Sequence, residues 1–320
     1  MKIRDRIYRV VGGLLLLTTL LSGCGVAAPL ALAQKDTAAS TIRIYAPATP
    51  SSVPVLLAAE QMDEADVTIF TDHAQAHTLF LRGDVDMLVT GLSVGVEFFA
   101  QGVPVQVVNS YVAGLTYLVT HDQQVETIAD LRGHQVVLPF EGSPIEQVTR
   151  YFVEASGLTW GEDVVPTYSP FPSSVELLRA GKVDVVALPE PFVSQVSGLP
   201  SVNVVLSYED AWNALTDSTG GYPQVGVFVL ESWAMEHGAE IEAFNRELEN
   251  AVTITQQDPE VAFATAQSVM QFPAEILTAA LARTSFAPRS GAELEQIVRN
   301  YYNEIGEPLD DTHQPFFYRP

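Results

Sequence analysis

The sequence is poor in cysteine and in basic residues. Its 320 residues include one cysteine, Cys24, and three lysines, Lys2, Lys35 and Lys182. A single cysteine excludes a disulfide within the chain. The 39 acidic residues outnumber the 16 arginines and lysines and give a net charge of −23, whereas nucleic-acid binding needs clustered lysine and arginine. We therefore expect neither a disulfide scaffold nor a nucleic-acid partner.

Signatures of catalysis are also scarce. The chain contains no phosphate-binding loop and no Cys-x-x-Cys pair. His73 and His77, four residues apart, would share one face of a helix and could hold a metal ion with Asp72. Two histidines beside an acidic turn are also typical of a protein surface, and we favour that interpretation. We expect no catalytic residue, no metal site and no cofactor.

The N-terminal residues have the pattern of a bacterial export signal. Four basic residues among the first nine precede an apolar run over residues 10–21, which is too short to span a bilayer. The run ends in Leu21-Ser22-Gly23-Cys24, which resembles a lipobox whose cysteine is lipidated and becomes the first residue. A plain signal peptide cleaved nearby is the alternative. We predict a lipoprotein signal peptide over residues 1–23 and a flexible tether over 24–40.

One short pattern occurs twice in the interior of the chain. Gly83-Asp84-Val85-Asp86 and Gly181-Lys182-Val183-Asp184 each follow a helix-like stretch and precede a short apolar run. Each glycine suits the left-handed position after a helix, and each run is typical of a buried parallel strand. The pattern predicts two equivalent α/β units whose strand ends face each other across a cleft.

Two longer apolar segments predict that the chain passes between these units twice. One is interrupted by Gly114, and the other covers residues 225–230. From Glu231 onward the pattern predicts helices only. The predicted domains are therefore discontinuous: residues 41–113 and 226–320 form lobe I, and residues 114–225 form lobe II.

Several short motifs, taken in order, resemble one protein family. They are the lipobox, the two glycine patterns, Thr90-Gly91, Ile128-Ala129-Asp130-Leu131-Arg132-Gly133, Glu190-Pro191-Phe192 and Asp258-Pro259-Glu260. Over about residues 41–290 the chain is similar to bacterial solute-binding proteins of ABC importers, in the branch for nitrate, taurine, alkanesulfonate and thiamine precursors. The resemblance implies a two-lobe, periplasmic-binding-protein-like (type II) α/β fold. Each lobe would be a mainly parallel sheet flanked by helices, with two hinge crossings that let the lobes close around a ligand.

The resemblance also implies a function. The protein would be an extracytoplasmic monomer, lipid-anchored to the cell membrane, that captures a small organic molecule. It would deliver this molecule to the permease and ATPase of an ABC importer and would not be an enzyme. Two alternatives stay open: a ligand-sensing lipoprotein without transport, and an enzyme on the same fold, similar to the thiamine-pyrimidine synthases.

Four turns are predicted to meet at the cleft, within residues 47–52, 90–93, 141–144 and 189–192. Hydroxyl groups and helix-end amides there could bind a polar ligand, although Ser93, Ser143 and, on another helix, Ser173 also suit helix N-caps. Phe140, Phe171, Phe192 and Tyr222 could hold a ring or could be core aromatics. The candidate ligand-binding residues are Thr49, Ser51, Thr90, Gly91, Ser93, Glu141, Gly142, Ser143, Glu190, Phe192 and Tyr222.

The charge of the four turns predicts the charge of the ligand. Glu141 and Glu190 lie in these turns, which contain no lysine. Because a buried carboxylate without a partner is costly, a neutral or cationic nitrogenous ligand is expected. The alternative is an anion held at helix N-termini near Ser51, Ser93 and Ser143.

The lipobox interpretation is directly testable. Cys24→Ser removes the only thiol that a lipid could modify, so the variant should accumulate as an unlipidated precursor. Metabolic labelling with a fatty-acid analogue should give a labelled band for the wild type and none for the variant. A labelled band that persists in the variant would show that the lipobox interpretation is wrong.

Overall fold

The structure is a computed structural model that describes residues 41–121 and 125–320. The predicted signal peptide, the lipidation site Cys24 and the tether up to residue 40 lie outside the described residues. No helix in the described ranges is both long and apolar enough to cross a membrane.

Eleven strands alternate with helices along the described chain. The strands are β1 (Ile42–Pro47), β2 (Ala65–Phe70), β3 (Met87–Gly91), β4 (Val105–Gly114), β5 (Thr116–Thr120), β6 (Gln135–Leu138), β7 (Val165–Tyr168), β8 (Val185–Pro189), β9 (Asn203–Ser207), β10 (Val225–Leu230) and β11 (Ser285–Ser290).

The helices in the same ranges vary from one turn to more than five turns. They are α1 (Ser52–Ala59), α2 (His73–Leu81), α3 (Leu92–Ala100), α4 (Pro144–Ala155), α5 (Phe171–Arg179), α6 (Phe192–Val196), α7 (Tyr208–Thr216), α8 (Glu231–Ala234), α9 (Gly238–Gln257), α10 (Pro259–Val269), α11 (Ala274–Ala282) and α12 (Gly291–Glu304). Two 3-10 turns cover Ile128–Leu131 and Asp311–Phe316.

The strands form two sheets. The first sheet has the order β11-β4-β10-β3-β1-β2, and the second has the order β7-β6-β8-β5-β9. In the first sheet β1 pairs in parallel with β2 and β3, whereas β10 runs antiparallel to β3 and β4. In the second sheet β6 pairs in parallel with β7 and β8, and β5 is antiparallel to β8 and β9. The fold class is therefore confirmed as α/β with two sheets.

The chain crosses between the sheets twice, and the two crossings touch. The first crossing passes from β4 to β5 through Leu115 alone, and the second returns from α7 to β10. The return segment runs beside the first crossing, because the Gln224 N–H donates to the Val112 carbonyl at 3.0 Å. The first sheet thus takes its strands from residues 42–114 and 225–290, and the second from 116–207. Lobes with the predicted boundaries remain a prediction.

Side chains that alternate along the central strands fill cores on both faces of each sheet. In β3, Leu88 enters one core, whereas Met87 and Val89 enter the core under α1 and α9. In β8, Val185 and Ala187 point to the first of these cores, while their neighbours point to the core under α5 and α6. The first core continues from one sheet to the other through α3, α4, α7 and α12. Both sheets are therefore covered by helices on both faces, as parallel sheets require.

Two elements differ from the sequence prediction. The segment after Glu231 is not wholly helical, because β11 pairs with β4 through Phe286 and Val112. The polar region around Trp212 forms α7, with Trp212 buried on its inner face. A partner about 170 residues away determines β11, so local periodicity does not reveal it.

Two of the three predicted serine caps are also wrong. Helix α3 begins at Leu92, one residue before Ser93, and α5 begins at Phe171 after Pro170, two residues before Ser173. Ser143 does cap α4, since its hydroxyl accepts the Glu146 N–H at 3.1 Å.

Both copies of the repeated glycine pattern fold as predicted, but their last aspartates, Asp86 and Asp184, lie in different environments. Gly83 and Gly181 have φ of 76° and 60°, in the left-handed region that glycine favours. Asp86 is buried and accepts hydrogen bonds from the Arg43 backbone N–H at 2.8 Å and from the Arg43 guanidinium at 2.9 and 2.6 Å. Asp184 is exposed. Only the first copy therefore uses its aspartate to hold two strands together.

This asymmetry predicts different effects on stability. Asp86→Asn removes a buried charge-assisted acceptor and should lower the free energy of unfolding by about 1.5–3 kcal/mol. The matched variant Asp184→Asn should change it by less than about 0.5 kcal/mol. Urea unfolding followed by circular dichroism measures both values. Equal losses in the two variants would contradict the assigned role of Asp86.

Candidate functional site

The turns at the carboxyl ends of β3 and β6 meet each other directly. The Ser93 hydroxyl donates to the Gly142 carbonyl at 3.1 Å. A Cβ at Gly91 would lie 2.4 Å from the Pro144 ring, so only glycine permits this approach of α4 to β3. Gly91, Ser93, Gly142 and the Ser143 cap therefore do come together, where the two sheets face each other.

The loop before α1 is closed by its own hydrogen bonds. The Thr49 and Ser51 hydroxyl oxygens lie 2.6 Å apart, and the Tyr111 hydroxyl donates to the Ser51 carbonyl at 2.8 Å. Ser51 is fully buried and makes no side-chain cap to the helix. The Thr49 and Ser51 hydroxyl groups are therefore hydrogen-bonding partners of each other. No hydrogen bond among the described residues joins either of them to Ser93 or Glu141.

A cavity of about 780 Å³ lies where α3, α4 and the C-terminal segment meet. That volume falls within the range of small-molecule pockets. Residues from both sides of the Ser93–Gly142 contact line it. They include His77, Ser93, Glu97 and Phe98 on the first side, Phe140, Glu141, Gly142 and Gln147 on the second, and Tyr302, Glu307, Leu309 and His313 from the C-terminal segment. Three candidate residues, Ser93, Glu141 and Gly142, thus share one cavity.

The walls of this cavity are acidic and partly aromatic. Glu97, Glu141 and Glu307 line it, and no lysine or arginine is among its described lining residues. Glu307 pairs with Arg150 behind the wall, whereas Glu141 is exposed. Phe140 is also exposed, with 40% of its surface accessible. The cavity therefore offers carboxylate and ring surfaces to a ligand.

His77 adds a neutral polar group beside the cavity. Burial, with a smaller contribution from the neighbouring His73, lowers the pKa of His77 to about 4. The ring is therefore uncharged at pH 7, and one of its nitrogens lies 3.2 Å from the Thr90 hydroxyl. This contact links the buried candidate residue Thr90 to His77, which lines the cavity. Within the described ranges no three His, Cys, Asp or Glu side chains cluster as a metal site would require.

Glu190 is buried apart from this cavity, and it has partners within the chain. One carboxylate oxygen accepts the Ser194 N–H at 3.1 Å, and the other lies 3.6 Å from the Arg283 guanidinium. The longer distance allows attraction but no hydrogen bond. Arg283 also donates to the Ser194 hydroxyl at 3.0 Å. Glu190 therefore has its partners within the chain. Glu141 is exposed, so the cost of a buried carboxylate does not apply to it, but it is the acid of the two that remains available to a ligand.

The candidate aromatic residues divide between two places. Phe171 and Phe192 stack at 5.3 Å between ring centroids, and Phe192 meets Phe272 edge to face at 6.5 Å. Tyr222 is buried against Trp212 and Tyr301, away from the acidic cavity. Neither group forms a ring sandwich with Phe140.

Three polar residues of the site were not among the sequence candidates. Arg283 directly follows helix α11. Gln224 lies between the crossings and donates a hydrogen bond to the Thr116 hydroxyl. Both residues are distant in sequence from the turns after β3, β6 and β8, so only folding brings them near those turns. Glu146 had a visible signal, because Ser143-Pro144-Ile145-Glu146 is a capping-box pattern. Its carboxylate accepts the Gly142 N–H at 2.5 Å and the Tyr168 hydroxyl at 2.9 Å, which fixes the turn that carries Glu141.

The turn after β3 also contains a pattern known from hydrolases. Gly91-Leu92-Ser93-Val94-Gly95 has the Gly-x-Ser-x-Gly form, which holds the nucleophile between a strand and a helix in α/β-hydrolases. Such a serine occupies a strained turn, whereas the only described non-glycine residue with positive φ is Asp217. The Ser93 hydroxyl is bonded to the Gly142 carbonyl and to no histidine. The geometry assigns Ser93 to the contact between the sheets.

Comparison with known proteins finds likeness in structure only. No protein-family model and no curated protein sequence matches the chain. The aliphatic sulphonate-binding protein SsuA of Escherichia coli superposes with a TM-score of 0.70 and 20% identity, over 88% of this chain and 92% of that one. A ligand-binding component of an ABC-type import system from Staphylococcus aureus, with zinc bound, gives 0.71 and 10% identity over 87% and 96%.

A third solved structure gives the same result. SsuA of Xanthomonas axonopodis pv. citri, bound to MOPS, superposes with a TM-score of 0.69 and 19% identity, over 88% of this chain and 99% of that one. The fold is that of the periplasmic solute-binding proteins. Two α/β sheets are joined by two crossings of the chain, as the sequence resemblance implied.

The buried Glu190 predicts a pH-dependent stability difference. Burial raises the pKa of this carboxyl, against the hydrogen bonds from Ser194 and the attraction of Arg283. Between the ordinary pKa of 4.5 and the raised pKa, the Glu190 carboxyl is ionised in the unfolded chain but protonated in the folded chain. The free energy of unfolding therefore falls as the pH rises through this window. Relative to Glu190→Gln, the wild type should therefore lose stability as the pH rises above 4.5.

Urea unfolding at a series of pH values measures that difference. Glu162→Gln, at an exposed position in the turn before β7, is the matched control and should show no such trend. The opposite trend for Glu190→Gln would mean that attraction to Arg283 outweighs burial.

Proposed function

We propose that the protein is an extracytoplasmic solute-binding lipoprotein that delivers a small nitrogenous molecule to an ABC importer. A lipid on Cys24 would hold it at the membrane, and the two sheets with their helices would close around the ligand as a monomer. The permease and ATPase of the importer are the implied partners. The acidic cavity between α3 and α4 is the observation that carries the proposal.

The position of the cavity supports ligand binding. Its walls come from the turns after β3 and β6, at the carboxyl ends of strands in two facing sheets. Open α/β sheets bind ligands at this edge, and pockets form preferentially between domains. The Ser93–Gly142 hydrogen bond joins the two sides at 3.1 Å, so a ligand beside it would be enclosed when the sheets approach.

The side chains of the cavity support a neutral or cationic ligand. A ligand N–H or ammonium group could donate to Glu141, and the nearby Phe98 and Phe140 rings could face its cation or ring. An anion would meet three glutamates and no lysine or arginine among the described residues that line the cavity. Similarity to SsuA proteins therefore does not carry their sulphonate ligand to this chain, because the fold is shared at 20% identity.

The proposal predicts which compounds stabilise the protein. The chain from residue 25 onward should be heated with amines, amino acids and pyrimidines, and separately with taurine, alkanesulphonates and nitrate. A bound ligand raises the melting temperature because it stabilises by RT ln(1 + [L]/Kd). We expect hits among the nitrogenous compounds only. Tight binding of taurine, an alkanesulphonate or nitrate would contradict the predicted ligand charge.

Each hit should then depend on the carboxylate of Glu141. Glu141→Gln keeps the shape of the side chain but removes the charge, so affinity should fall by about ten- to a hundredfold in calorimetry, which corresponds to a charge-assisted hydrogen bond of ~1.5–3 kcal/mol. Glu154→Gln, exposed near the far end of α4, is the matched control and should bind like the wild type. Equal affinities of the wild type and both variants would show that the ligand does not bind at Glu141.

A further inference from the structure

One wall of the acidic cavity holds two buried polar atoms that have no hydrogen-bond partner among the described residues. They are the hydroxyl oxygen of Tyr302, on α12, and the Oε1 atom of Gln147, on α4. Both residues line the cavity, and only 2% of the Tyr302 surface is accessible. We call these two residues the inner wall. Buried polar groups without a partner are costly and rare in folded proteins, so the inner wall indicates an occupant of the cavity.

The direction of the Gln147 amide is fixed by its other end. Its Nε2 atom donates to one carboxylate oxygen of Glu307 at 3.1 Å, so the carbonyl oxygen is the atom left without a partner. The second Glu307 oxygen pairs with the Arg150 guanidinium. Both oxygens of Glu307 therefore have partners within the chain, and the inner wall presents neutral polar atoms to the cavity.

The two atoms of the inner wall are neighbours that do not bond to each other. Burial, with a smaller contribution from Glu307, raises the pKa of the Tyr302 hydroxyl, and the nearby Gln147 side chain opposes this rise. The atoms nevertheless do not meet at hydrogen-bonding distance and angle. A protonated tyrosine hydroxyl can donate, whereas an amide carbonyl oxygen can only accept. The pair therefore suits a group that presents an acceptor and a donor side by side.

A carboxamide is a nitrogenous group with this arrangement. Its carbonyl oxygen can accept from Tyr302 while its N–H donates to Gln147. A carboxylate has no donor for Gln147, and an ammonium group has no acceptor for Tyr302. Water or a hydroxyl group could contact both atoms, but only through a single oxygen. Glu141 is exposed at the same cavity and remains available to an amine.

We propose that Tyr302 and Gln147 bind a carboxamide group of the ligand. The inference rests on the proposed function and names the chemical class that the acidic cavity takes. The ligand combines an amine, which donates to Glu141, with an uncharged carboxamide, which fills the inner wall. An amino amide is therefore preferred to the amino acid that carries a carboxylate in its place.

The first test needs no ligand. In the full chain carrying Cys24→Ser, Tyr302→Phe removes the hydroxyl and keeps the ring. The melting temperature should not fall, because this hydroxyl has no hydrogen-bond partner among the described residues. A clear fall would show that the hydroxyl bonds within the chain, and it would overturn the proposal.

The second test compares ligands that differ in one group. Calorimetry on the same chain measures the binding of leucinamide, leucine methyl ester and leucinol, and of the three corresponding phenylalanine compounds. All six carry an amine, but the esters lack the N–H of the amides, and the alcohols offer a single oxygen. In at least one series the amide should bind about tenfold more tightly than both analogues, as expected for one added hydrogen bond.

Three variants assign this preference to the inner wall. Gln147→Met removes the carbonyl acceptor, so the preference for the amide over the ester should disappear. Tyr302→Phe should weaken binding of the amide by about tenfold. Tyr151→Phe is the matched control, because its hydroxyl donates to Glu304 at 2.7 Å outside the cavity lining; it should bind all six compounds like the wild type.

Two binding results would overturn this inference and leave the proposed function standing. One is that no amide binds more tightly than its ester and its alcohol, although another nitrogenous compound binds through Glu141. The other is an amide whose affinity neither Gln147→Met nor Tyr302→Phe changes. A protein that binds no nitrogenous compound at all would refute the proposed function and this inference with it.

Discussion

The hydrogen-bonded pair of β4 and β10 is the constraint on which the rest of the structure depends. These strands pair from Val112 and Val225 to Val105 and Leu230, and both connect to the second sheet at the same end. Because the two crossings are bonded side by side, the sheets stay end to end, with the carboxyl ends of their parallel strands facing. A single crossing would leave that orientation free. The turns that carry Ser93 and Glu141 meet because of this pairing.

The same pair divides the molecule into a front and a rear. The facing turns follow β3, β1, β6 and β8 on one side, and β11 and α12 border the other.

Much of the fold could be predicted from local sequence, because its signals are local. Gly83 and Gly181 mark helix ends by backbone conformation, and the apolar runs that follow become β3 and β8. Strand β11 could not be predicted, since its pairing with β4 depends on contacts between distant residues. Its arginine and proline, Arg289 and Pro288, do not look like a strand, and an edge position tolerates them.

The site was less predictable than the fold for a related reason. Sequence places a residue in a turn but does not show where its side chain points. Glu141 and Glu190 both occupy turns before a helix, yet one is exposed beside the acidic cavity and the other is buried 3.6 Å from Arg283. The prediction that both acids face a ligand therefore gave the same role to two carboxylates that lie in opposite environments. Only the environment decides whether a carboxylate is available to an incoming molecule.

Ligand charge in this fold is thus determined by very few side chains. The backbone elements that enclose the site, including the α3 and α4 N-termini, would suit an anion by their dipoles. Against them stand Glu97 and Glu141 on the cavity walls, while Glu307 is paired with Arg150. Full carboxylate charges outweigh the partial charge of a helix end, which is roughly half a unit. Glu146 strengthens this balance, because its carboxylate already occupies the Gly142 N–H that an anion at the start of α4 would use. The chain therefore combines a fold shared with sulphonate-binding proteins with a cavity whose walls are acidic.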